Sequence, residues 1–269
     1  MDLDFTGKVA LITGGANGIG RATALGFAKG GAKVVLVDRD AAAGEATAGV
    51  IRQQGGEARF VTADVTKSAE VRDYVKAALD AYGSIDCFFN NAGIEGRAAP
   101  TQEYDEAIFD QVIAVNLKGV FLGMRHVLPV MLKQGRGAIV NTASVAGLFG
   151  GPGMAPYVAS KHGVLGLTKV ASSDVARLGI RVNAVCPGPV ETRMMRSIES
   201  QRNPANPQAV HDMTAANTPT GRYVLPEEVA NVVMYLCSDF AGDITGTHIV
   251  IDGGRSGAGG APPAVARPA

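Results

Sequence analysis

Short runs of apolar, mostly β-branched residues alternate along this chain with longer segments in which apolar residues recur every three to four positions. The short runs are typical of strands buried on both faces, and the longer period is typical of helices. Seven runs predict strands: Val9–Thr13, Lys33–Val37, Ala58–Thr62, Ile85–Asn90, Gly137–Thr142, Arg181–Val185 and His248–Ile251. Six segments predict helices: Gly20–Lys29, Ala41–Gln54, Ala69–Tyr82, Ile108–Leu132, Pro156–Arg177 and Pro226–Ser238.

The alternation of strands and helices predicts the fold class. Strands separated by helices form βαβ units with right-handed crossovers, which gives a doubly wound α/β fold with a parallel sheet and helices on both faces. With 269 residues, the chain fits one such domain over residues 1–256. Ligands of these sheets bind at the carboxyl ends of the strands, so the residues there form the candidate site.

Two segments do not follow the alternation. Residues 191–224 are too long for a connector, and loops of this length usually close over a site. Met194 and Met195 lie in this segment, and methionine side chains adapt to apolar ligands, so we expect a substrate-binding lid. Residues 257–269 are rich in Gly, Ala and Pro, which predicts a flexible tail.

Charge and cysteine usage exclude several classes of function. The 25 basic and 25 acidic residues balance, whereas nucleic acids and anionic membranes require a basic surface, so we expect neither partner. The three cysteines and four histidines show no disulfide or metal-ligand spacing, which predicts free buried thiols and no metal. The acidic N-terminus lacks a signal-peptide profile and no apolar run approaches ~20 residues, so we expect a soluble, cytoplasmic protein.

A glycine-rich turn with the spacing Gly14-x-x-x-Gly18-x-Gly20 joins the first strand to the first helix. Gly14 permits a tight turn, and Gly20 lets the helix approach the sheet. Free backbone N–H groups at the helix start attract a pyrophosphate, so we expect a bound dinucleotide rather than a simple turn. The expected contacts are Gly14, Asn17, Gly18, Ile19 and Gly20.

Asp38 ends the second strand and predicts which dinucleotide binds. A carboxylate there accepts hydrogen bonds from ribose hydroxyls and repels a 2′-phosphate, so we expect NAD rather than NADP. Arg39 is the opposing signal, because a guanidinium pairs well with that phosphate. Asp40, directly before a helix, is the better candidate for its N-cap. Further expected cofactor contacts are Arg39, Asp64, Val65, Asn91, Ala92, Gly93, Val115, Pro187, Gly188, Val190 and Thr192.

Tyr157 and Lys161 lie four residues apart, so both project from one face of a predicted helix. The pKa of a free phenol is ~10, and bringing it to neutral pH requires about 4 kcal/mol of stabilisation of the phenolate. We expect the neighbouring ammonium and an oxidised nicotinamide to supply this stabilisation. Tyr157 is then the general acid or base on a substrate oxygen, and both residues also contact the cofactor.

Ser144 and Asn116 are the polar residues expected to support this chemistry. Ser144 follows a strand and is placed to hold the oxygen that Tyr157 protonates, with no nearby acid or histidine to make it a nucleophile. Asn116 interrupts an apolar helix at an energetic cost. It either bonds a neighbouring helix or opens its own helix to hold a proton-relay water near Lys161. The expected substrate contacts are Ser144, Tyr157, Glu95, Leu148, Phe149, Met154, Met194 and Met195.

From Lys8 to about Gly254 the sequence resembles the short-chain dehydrogenase/reductase family. The motifs that carry the resemblance are Thr13–Gly20, Asp64, Asn90–Gly93, Asn116, Ser144, Tyr157–Lys161, Pro187-Gly188 and Asp252–Gly254. The resemblance implies a single-domain Rossmann fold with seven strands and hydride transfer to or from a nicotinamide dinucleotide. It also implies a homotetramer in which the helices at 156–177 and 226–238 pack together. The catalytic tetrad that it implies is Asn116, Ser144, Tyr157 and Lys161.

Within that family, Phe88–Gly96 and Asn203–Pro207 are similar to NADH-dependent reductases of cyclic diketones. The leading hypothesis is an NAD(H)-dependent oxidoreductase that interconverts a secondary alcohol and a ketone, the substrate being cyclic or bulky and hydrophobic. A 3-oxoacyl-thioester reductase is the enzymatic alternative, although Asp38 disfavours NADPH and the neutral charge disfavours an acyl carrier. A non-catalytic dinucleotide sensor is the third hypothesis, which the intact tetrad disfavours.

Overall fold

A computed structural model describes residues 3–257 as one parallel sheet flanked by helices; except for Gly257, the predicted tail lies outside the described residues. The strands are β1 (Val9–Thr13), β2 (Lys33–Asp38), β3 (Ala58–Thr62), β4 (Cys87–Asn90), β5 (Gly137–Thr142), β6 (Ile180–Pro187) and β7 (His248–Ile251). They lie in the order β3-β2-β1-β4-β5-β6-β7, with all neighbouring pairs parallel. The chain reverses its course across the sheet between β1 and β4, which is where such sheets bind ligands.

The six predicted helices all form, and the bounds of predicted strands and helices differ from the structure by at most two residues. Asp40 is the N-cap of the second helix, as predicted, because its carboxylate accepts the Ala43 N–H at 3.1 Å. The helices are α1 (Gly18–Lys29), α2 (Ala41–Gln53), α3 (Ser68–Tyr82), α4 (Glu106–Ile113), α5 (Gly119–Gln134), α6 (Ala155–Val175), α7 (Arg193–Arg202), α8 (Pro207–Ala216) and α9 (Pro226–Cys237).

The sheet divides the hydrophobic core into two layers, because successive residues of a strand point to opposite faces. Leu11 of β1 packs with residues of α3, α5 and α6 on one face. Its neighbours Ala10 and Ile12 pack with residues of α1, α2 and α9 on the other face. The cysteines are free and buried, as predicted, and are distributed over both layers: Cys87, Cys186 and Cys237. This two-sided burial holds the carboxyl ends of the strands in a fixed arrangement.

Residues 191–224, expected to be a long loop, form the helices α7 and α8 instead. Thr192 and Asn206 are their N-caps, each accepting a hydrogen bond from a backbone N–H of the first turn. A parallel bridge between Val190 and Val224 closes the base of the segment. The sequence signal for α8 was present, since an Asn before a Pro is typical of a helix start.

A five-residue π-helical turn, Ala114–Lys118, joins α4 and α5 into one helical stretch. This stretch, Glu106–Gln134, is long and apolar enough to cross a membrane by length and composition alone. No segment of this kind was expected from the sequence. Helices in the core of a globular domain meet the same criterion, and Val127 and Met131 of α5 are fully buried in the core. The feature therefore carries little weight as a sign of a membrane span.

Candidate active site

The glycine-rich turn forms a cradle of backbone at the carboxyl end of β1. Gly14 has a φ of +65°, and a Cβ on this residue would lie 3.0 Å from the Cα of Ala92. A Cβ on Gly20 would lie 2.0 Å from the carbonyl oxygen of Gly14, so α1 packs directly on the turn. The N-cap of α1, Asn17, makes no side-chain capping hydrogen bond, which leaves N–H groups of the first turn available to a ligand. This cradle fits the pyrophosphate of a dinucleotide.

Thr13 and Asn91 lock the ends of three strands together beside this cradle. The Thr13 hydroxyl oxygen accepts the backbone N–H of Asn91 at 2.9 Å and that of Ala92 at 3.1 Å. The Asn91 amide donates to the carbonyl oxygen of Thr13 at 3.1 Å, and its oxygen accepts the Thr142 hydroxyl at 3.1 Å. The carboxyl ends of β1, β4 and β5 are thus held at fixed spacing where the ligand is expected.

Asp38 presents an oriented carboxylate to the same turn. One carboxylate oxygen accepts the Ala16 N–H and the other accepts the Asp40 N–H, both at 3.1 Å. The carboxylate is half-buried on the cavity wall, whereas the neighbouring Arg39 is exposed. A carboxylate held in this way is suited to accept hydrogen bonds from ribose hydroxyls and to repel a phosphate.

A cavity of about 910 Å³ opens along the carboxyl ends of the strands. Gly20 is the one expected cofactor contact that does not line it, because this residue is buried between α1 and the turn. The expected cofactor contacts that do line it are Gly14, Asn17, Gly18, Ile19, Asp38, Arg39, Asp64, Val65, Asn91, Ala92, Gly93, Val115, Tyr157, Lys161, Pro187, Gly188, Val190 and Thr192.

Lys161 is buried beneath the phenol ring of Tyr157. Its ammonium donates to the carbonyl oxygen of Thr142 at 2.7 Å and lies 5.5 Å from the centroid of the Tyr157 ring. Burial lowers the pKa of Lys161 to about 8, so the side chain still carries its charge at neutral pH. The helical spacing of the two residues therefore places a buried positive charge next to the phenol, as expected.

The pKa of Tyr157 is raised, whereas the expectation from sequence was a lowered value. Burial of the phenol is the main cause, a hydrogen bond with Ser144 acts in the opposite direction, and the charge of Glu95 raises the pKa further. The protein groups alone therefore do not produce a phenolate at neutral pH. The expectation also counted a second positive charge, from an oxidised nicotinamide, which would lower the pKa of the phenol when the cofactor is bound.

Ser144 is held beside Tyr157 by its place at the start of a short helical turn. Its hydroxyl oxygen accepts the Ala146 N–H at 3.1 Å, and its hydroxyl donates to the carbonyl oxygen of Pro187 at 3.4 Å. The side chain lines the cavity with only 9% of the residue exposed. This arrangement gives a fixed hydroxyl next to the phenol, suited to hold a substrate oxygen between them.

Asn116 lies in the π-helical turn and is completely buried. Its amide oxygen accepts the Ile94 N–H at 2.8 Å, and its amide nitrogen donates to the Ile94 carbonyl oxygen at 2.9 Å and to the Ser160 hydroxyl at 3.3 Å. Both expectations for this residue are thus met in part: the helix opens locally, and the amide also binds core groups. Asn116 does not line the cavity, and the relay water stays a prediction.

The substrate end of the cavity has mostly apolar walls. Leu148 is the exception among the expected contacts, since this residue packs against the core instead of lining the cavity. It directly follows the helical turn at Val145–Gly147 as its C-cap. The expected substrate contacts that do line the cavity are Glu95, Ser144, Phe149, Met154, Tyr157, Met194 and Met195.

Two cavity-lining residues of α7, Ile198 and Arg202, were not predicted from the sequence. With Met194, which was predicted, they are spaced by four residues and line the cavity from one face of this helix. Recognition of the helix start at Thr192 would have revealed this spacing. Among residues 3–257, no group of three or more potential metal ligands occurs.

Comparison with known proteins finds relatives along almost the whole chain. Residues 14–256 match the family described as enoyl-(acyl carrier protein) reductase. Levodione reductase of Leifsonia aquatica is 44% identical, with 94% of this chain and 96% of that protein covered. Cyclohexanol dehydrogenase of Acinetobacter sp. (strain SE19) is 41% identical, with 94% and 96% covered. The 3-oxoacyl-[acyl-carrier-protein] reductase of Thermotoga maritima is also 41% identical, with 92% and 97% covered.

Solved structures show the same fold. The crystal structure of levodione reductase superposes with a TM-score of 0.93 at 44% identity and covers 94% of this chain and 99% of that chain. NAD⁺-bound xylitol dehydrogenase has a TM-score of 0.88 at 37% identity, covering 92% and 98%. A variant actinorhodin polyketide ketoreductase with NADPH has a TM-score of 0.89 at 40% identity, covering 92% and 97%. The structural relatives thus include one complex with each of the two nicotinamide dinucleotides.

Proposed function

Because the chain belongs to the short-chain dehydrogenase/reductase family, we propose that it is an NAD(H)-dependent oxidoreductase that interconverts a secondary alcohol and a ketone. Family membership makes the chain an oxidoreductase that uses a nicotinamide dinucleotide, while NAD and the alcohol or ketone are our proposal. The observation that supports it best is the phenol of Tyr157 beside the buried ammonium of Lys161, in the cavity that also contains Asp38.

The roles of the side chains follow from their positions in this cavity. The residues at the carboxyl ends of the strands would hold a nicotinamide dinucleotide, which would supply the hydride acceptor for an alcohol or the hydride donor for a ketone. Ser144 holds the substrate oxygen, and Tyr157 takes the hydroxyl proton during oxidation and returns it to the carbonyl oxygen during reduction. The Lys161 charge, 5.5 Å from the phenol ring, favours the phenolate, which is the form that Tyr157 has before oxidation and after reduction. Asn116 fixes the backbone of Ile94 and thereby the loop at the edge of the site.

The preference for NAD over NADP rests on Asp38. Its two oxygens are oriented by the backbone N–H groups of Ala16 and Asp40, so the carboxylate cannot turn away without breaking both bonds. An added 2′-phosphate would face this negative charge. Arg39 lines the same part of the cavity but is exposed, where an ion pair contributes little, so its attraction does not outweigh the repulsion.

A cyclic or bulky hydrophobic substrate is supported by the walls of the cavity. Phe149, Met154, Met194 and Met195 line the cavity that also contains Tyr157, and flexible methionine side chains adapt to the shape of a ring. Two of the relatives are named for cyclic substrates, levodione and cyclohexanol.

The test is turnover resolved by cofactor. Oxidation of NADH and NADPH is measured with cyclic and linear ketones, and reduction of NAD⁺ and NADP⁺ with the matching alcohols. We expect NADH with cyclic ketones to give the highest kcat/KM. A preference for NADPH would show that Arg39 outweighs Asp38, and no turnover with any ketone or alcohol would reject the proposal.

A second candidate function is reduction of a 3-oxoacyl thioester. The relative from Thermotoga maritima, which is named for this reaction, favours it, while Asp38 disfavours the NADPH that we expect for this reaction. Acetoacetyl-coenzyme A, tested with both dinucleotides, distinguishes the two candidates. A kcat/KM above that of the cyclic ketones would replace the first candidate by the second.

We further propose that the protein is a cytoplasmic homotetramer. Exposed apolar side chains lie on two faces: Phe121 and Val170 on α5 and α6, and Phe240 and Val250 next to α9 and in β7. Burial of these faces between copies of the chain would remove them from water. The mass in solution, measured by light scattering after size exclusion, is expected to be four times that of the chain. A monomer at micromolar concentration would reject this assembly.

A further inference from the structure

Glu95 brings a carboxylate to the part of the cavity that adjoins Tyr157. The residue follows Ile94, whose backbone is held at both its N–H and its carbonyl group by Asn116. Glu95 is half-buried and lines the cavity, and a Cβ on Gly93, two residues earlier, would lie 3.7 Å from the ammonium nitrogen of Lys161. The loop that carries Glu95 therefore reaches the reactive groups, and the charge of Glu95 raises the pKa of the Tyr157 phenol.

This carboxylate has no partner within the described part of the chain, residues 3–257. The backbone groups around it are in use, since the Arg97 N–H donates to the Tyr104 hydroxyl at 3.0 Å and the Ala98 N–H donates to Gln201 at 3.0 Å. No hydrogen bond or ion pair in this range reaches the Glu95 side chain itself. The nearby arginine of the cavity wall, Arg202, instead lies with its guanidinium 3.9 Å from the Met154 sulfur.

When a ligand fills the cavity, it displaces water from the Glu95 carboxylate. A carboxylate that loses its water needs another hydrogen-bond donor, because an unpaired buried charge is costly. An ionised carboxylate only accepts hydrogen bonds. Apolar side chains that offer no donor, Phe149, Met194 and Met195 among them, line the same cavity. A hydroxyl group of a bound ligand would supply the donor, whereas a second negative charge on the ligand would be repelled.

We propose that Glu95 determines substrate specificity by accepting a hydrogen bond from a second hydroxyl group of the substrate. The substrate class is then a cyclic diol or hydroxyketone, in which one oxygen reacts at Tyr157 and another hydroxyl binds Glu95. Substrates with a carboxylate in that position are rejected. This inference rests on the proposed alcohol and ketone chemistry of the same site.

The test compares wild type, Glu95→Gln and Glu95→Leu in NAD⁺-dependent oxidation of cyclohexanol and of the isomeric 1,2-, 1,3- and 1,4-cyclohexanediols. The measured quantity is the ratio of kcat/KM for the best diol to that for cyclohexanol within each variant. We expect this ratio to fall at least tenfold in Glu95→Leu and by less in Glu95→Gln, since an amide oxygen still accepts a hydrogen bond. Glu103→Gln, an exposed carboxylate outside the cavity, is the matched control and should leave the ratio unchanged.

A second measurement, the pH profile, does not require that the Glu95→Leu variant folds. Because the charge of Glu95 raises the pKa of Tyr157, the pH profile for cyclohexanol is expected to move to lower pH in Glu95→Gln but not in Glu103→Gln. An unshifted profile would contradict the close approach of the two groups.

The outcomes separate the inference from the proposed function. If wild type oxidises none of the alcohols, the proposed function itself is wrong. If wild type oxidises them and the diol ratio is the same in all variants, only the role of Glu95 is wrong. Two further substrates test the chemistry: a preference for 4-aminocyclohexanol would assign Glu95 to a cation instead, and turnover of 3-hydroxycyclohexanecarboxylate equal to that of cyclohexanol would overturn the charge rejection.

Discussion

The two ends of the cavity differ in what holds their residues in place. At the cofactor end, Asp38 and Asn91 are bonded to the backbone of buried strands or of the turn that follows them. At the substrate end, the walls belong to α7 and to the loops around it. The carboxamide of Gln201 joins α7 to one of these loops, accepting the Ala98 N–H at 3.0 Å and donating to the Gly96 carbonyl oxygen at 3.3 Å.

The helices at the substrate end are also joined to each other mainly by side chains. Glu191, which precedes α7, bonds Arg196 of α7 at 2.6 Å and His211 of α8 at 2.9 Å. Contacts of this kind at a surface contribute little free energy each, whereas buried backbone bonds in a sheet are rarely lost. We therefore expect the cofactor end to be rigid. At the substrate end, we expect α7, α8 and the neighbouring loops to take different positions with different substrates.

The largest expected effect comes from the residue that lies between the two ends. Tyr157→Phe removes the group that transfers the substrate proton, so kcat should fall by ~10²–10⁴-fold or more. Binding of NADH, measured by fluorescence titration, should change little because the ring and the cofactor end stay in place. Turnover near the wild-type rate in this variant would exclude Tyr157 as the acid and base.

A substitution at the cofactor end should alter the preference between the two dinucleotides without changing the binding of the substrate. Asp38→Asn keeps the shape and removes the charge, so the ratio of kcat/KM for NADP⁺ to that for NAD⁺ should rise by about 10–100-fold, as for the loss of one charged hydrogen-bond partner. The KM of the alcohol serves as the control and should stay constant. An unchanged cofactor ratio would show that Asp38 does not select NAD.

The tight packing of the cofactor end is tested by a substitution that adds one methyl group to the glycine-rich turn. A Cβ at position 20 would lie 2.0 Å from the Gly14 carbonyl oxygen, so Gly20→Ala should lower the free energy of unfolding by ~1–3 kcal/mol. Gly49→Ala on α2 is the matched control, because nothing lies within 4 Å of its Cβ, and it should be neutral or stabilising. Equal stability of the two variants in urea titrations would refute the tight packing of α1 on the turn.

The smallest effect is expected at the substrate end, from titration of His211. The hydrogen bond to Glu191 is the main cause that raises its pKa, Asp212 adds to this, and Arg196 opposes it. Since the pKa is higher in the folded protein, the charged pair stabilises α8 fully below pH ~6.5 and this contribution is lost as the pH rises through the raised value. The Tyr223 ring, 4.3 Å away, carries no charge in this range.

Hydrogen exchange at pH 6 and pH 8, corrected for the intrinsic rates, measures this effect. Protection of residues 207–216 should decrease at pH 8 in wild type and be the same at both pH values in His211→Gln. Protection of α2, far from the histidine, is the internal control. If the protection of α8 in wild type were the same at both pH values, His211 would not stabilise this helix.

Most of the fold was predictable, since each strand is a buried apolar run and each long helix shows its own period. The helix α7 was missed because it is strongly polar, with Glu199 as its one buried residue, so no apolar run marks it in the sequence. The π-helical turn was predicted only as a local opening at Asn116. Its form depends on the Ile94 backbone, which lies 22 residues away in the chain.

The sequence by itself determined the parallel sheet, the family and the identity of the reactive groups, because these follow from local periodicity and from motifs of a few residues. The tertiary structure decided which of those residues share a cavity and what each one contacts. It packed Leu148 against the core, raised the pKa of Tyr157 and left the Glu95 carboxylate without a partner among residues 3–257. Burial and electrostatic interaction depend on atoms from distant parts of the chain, and only the folded protein brings those atoms together.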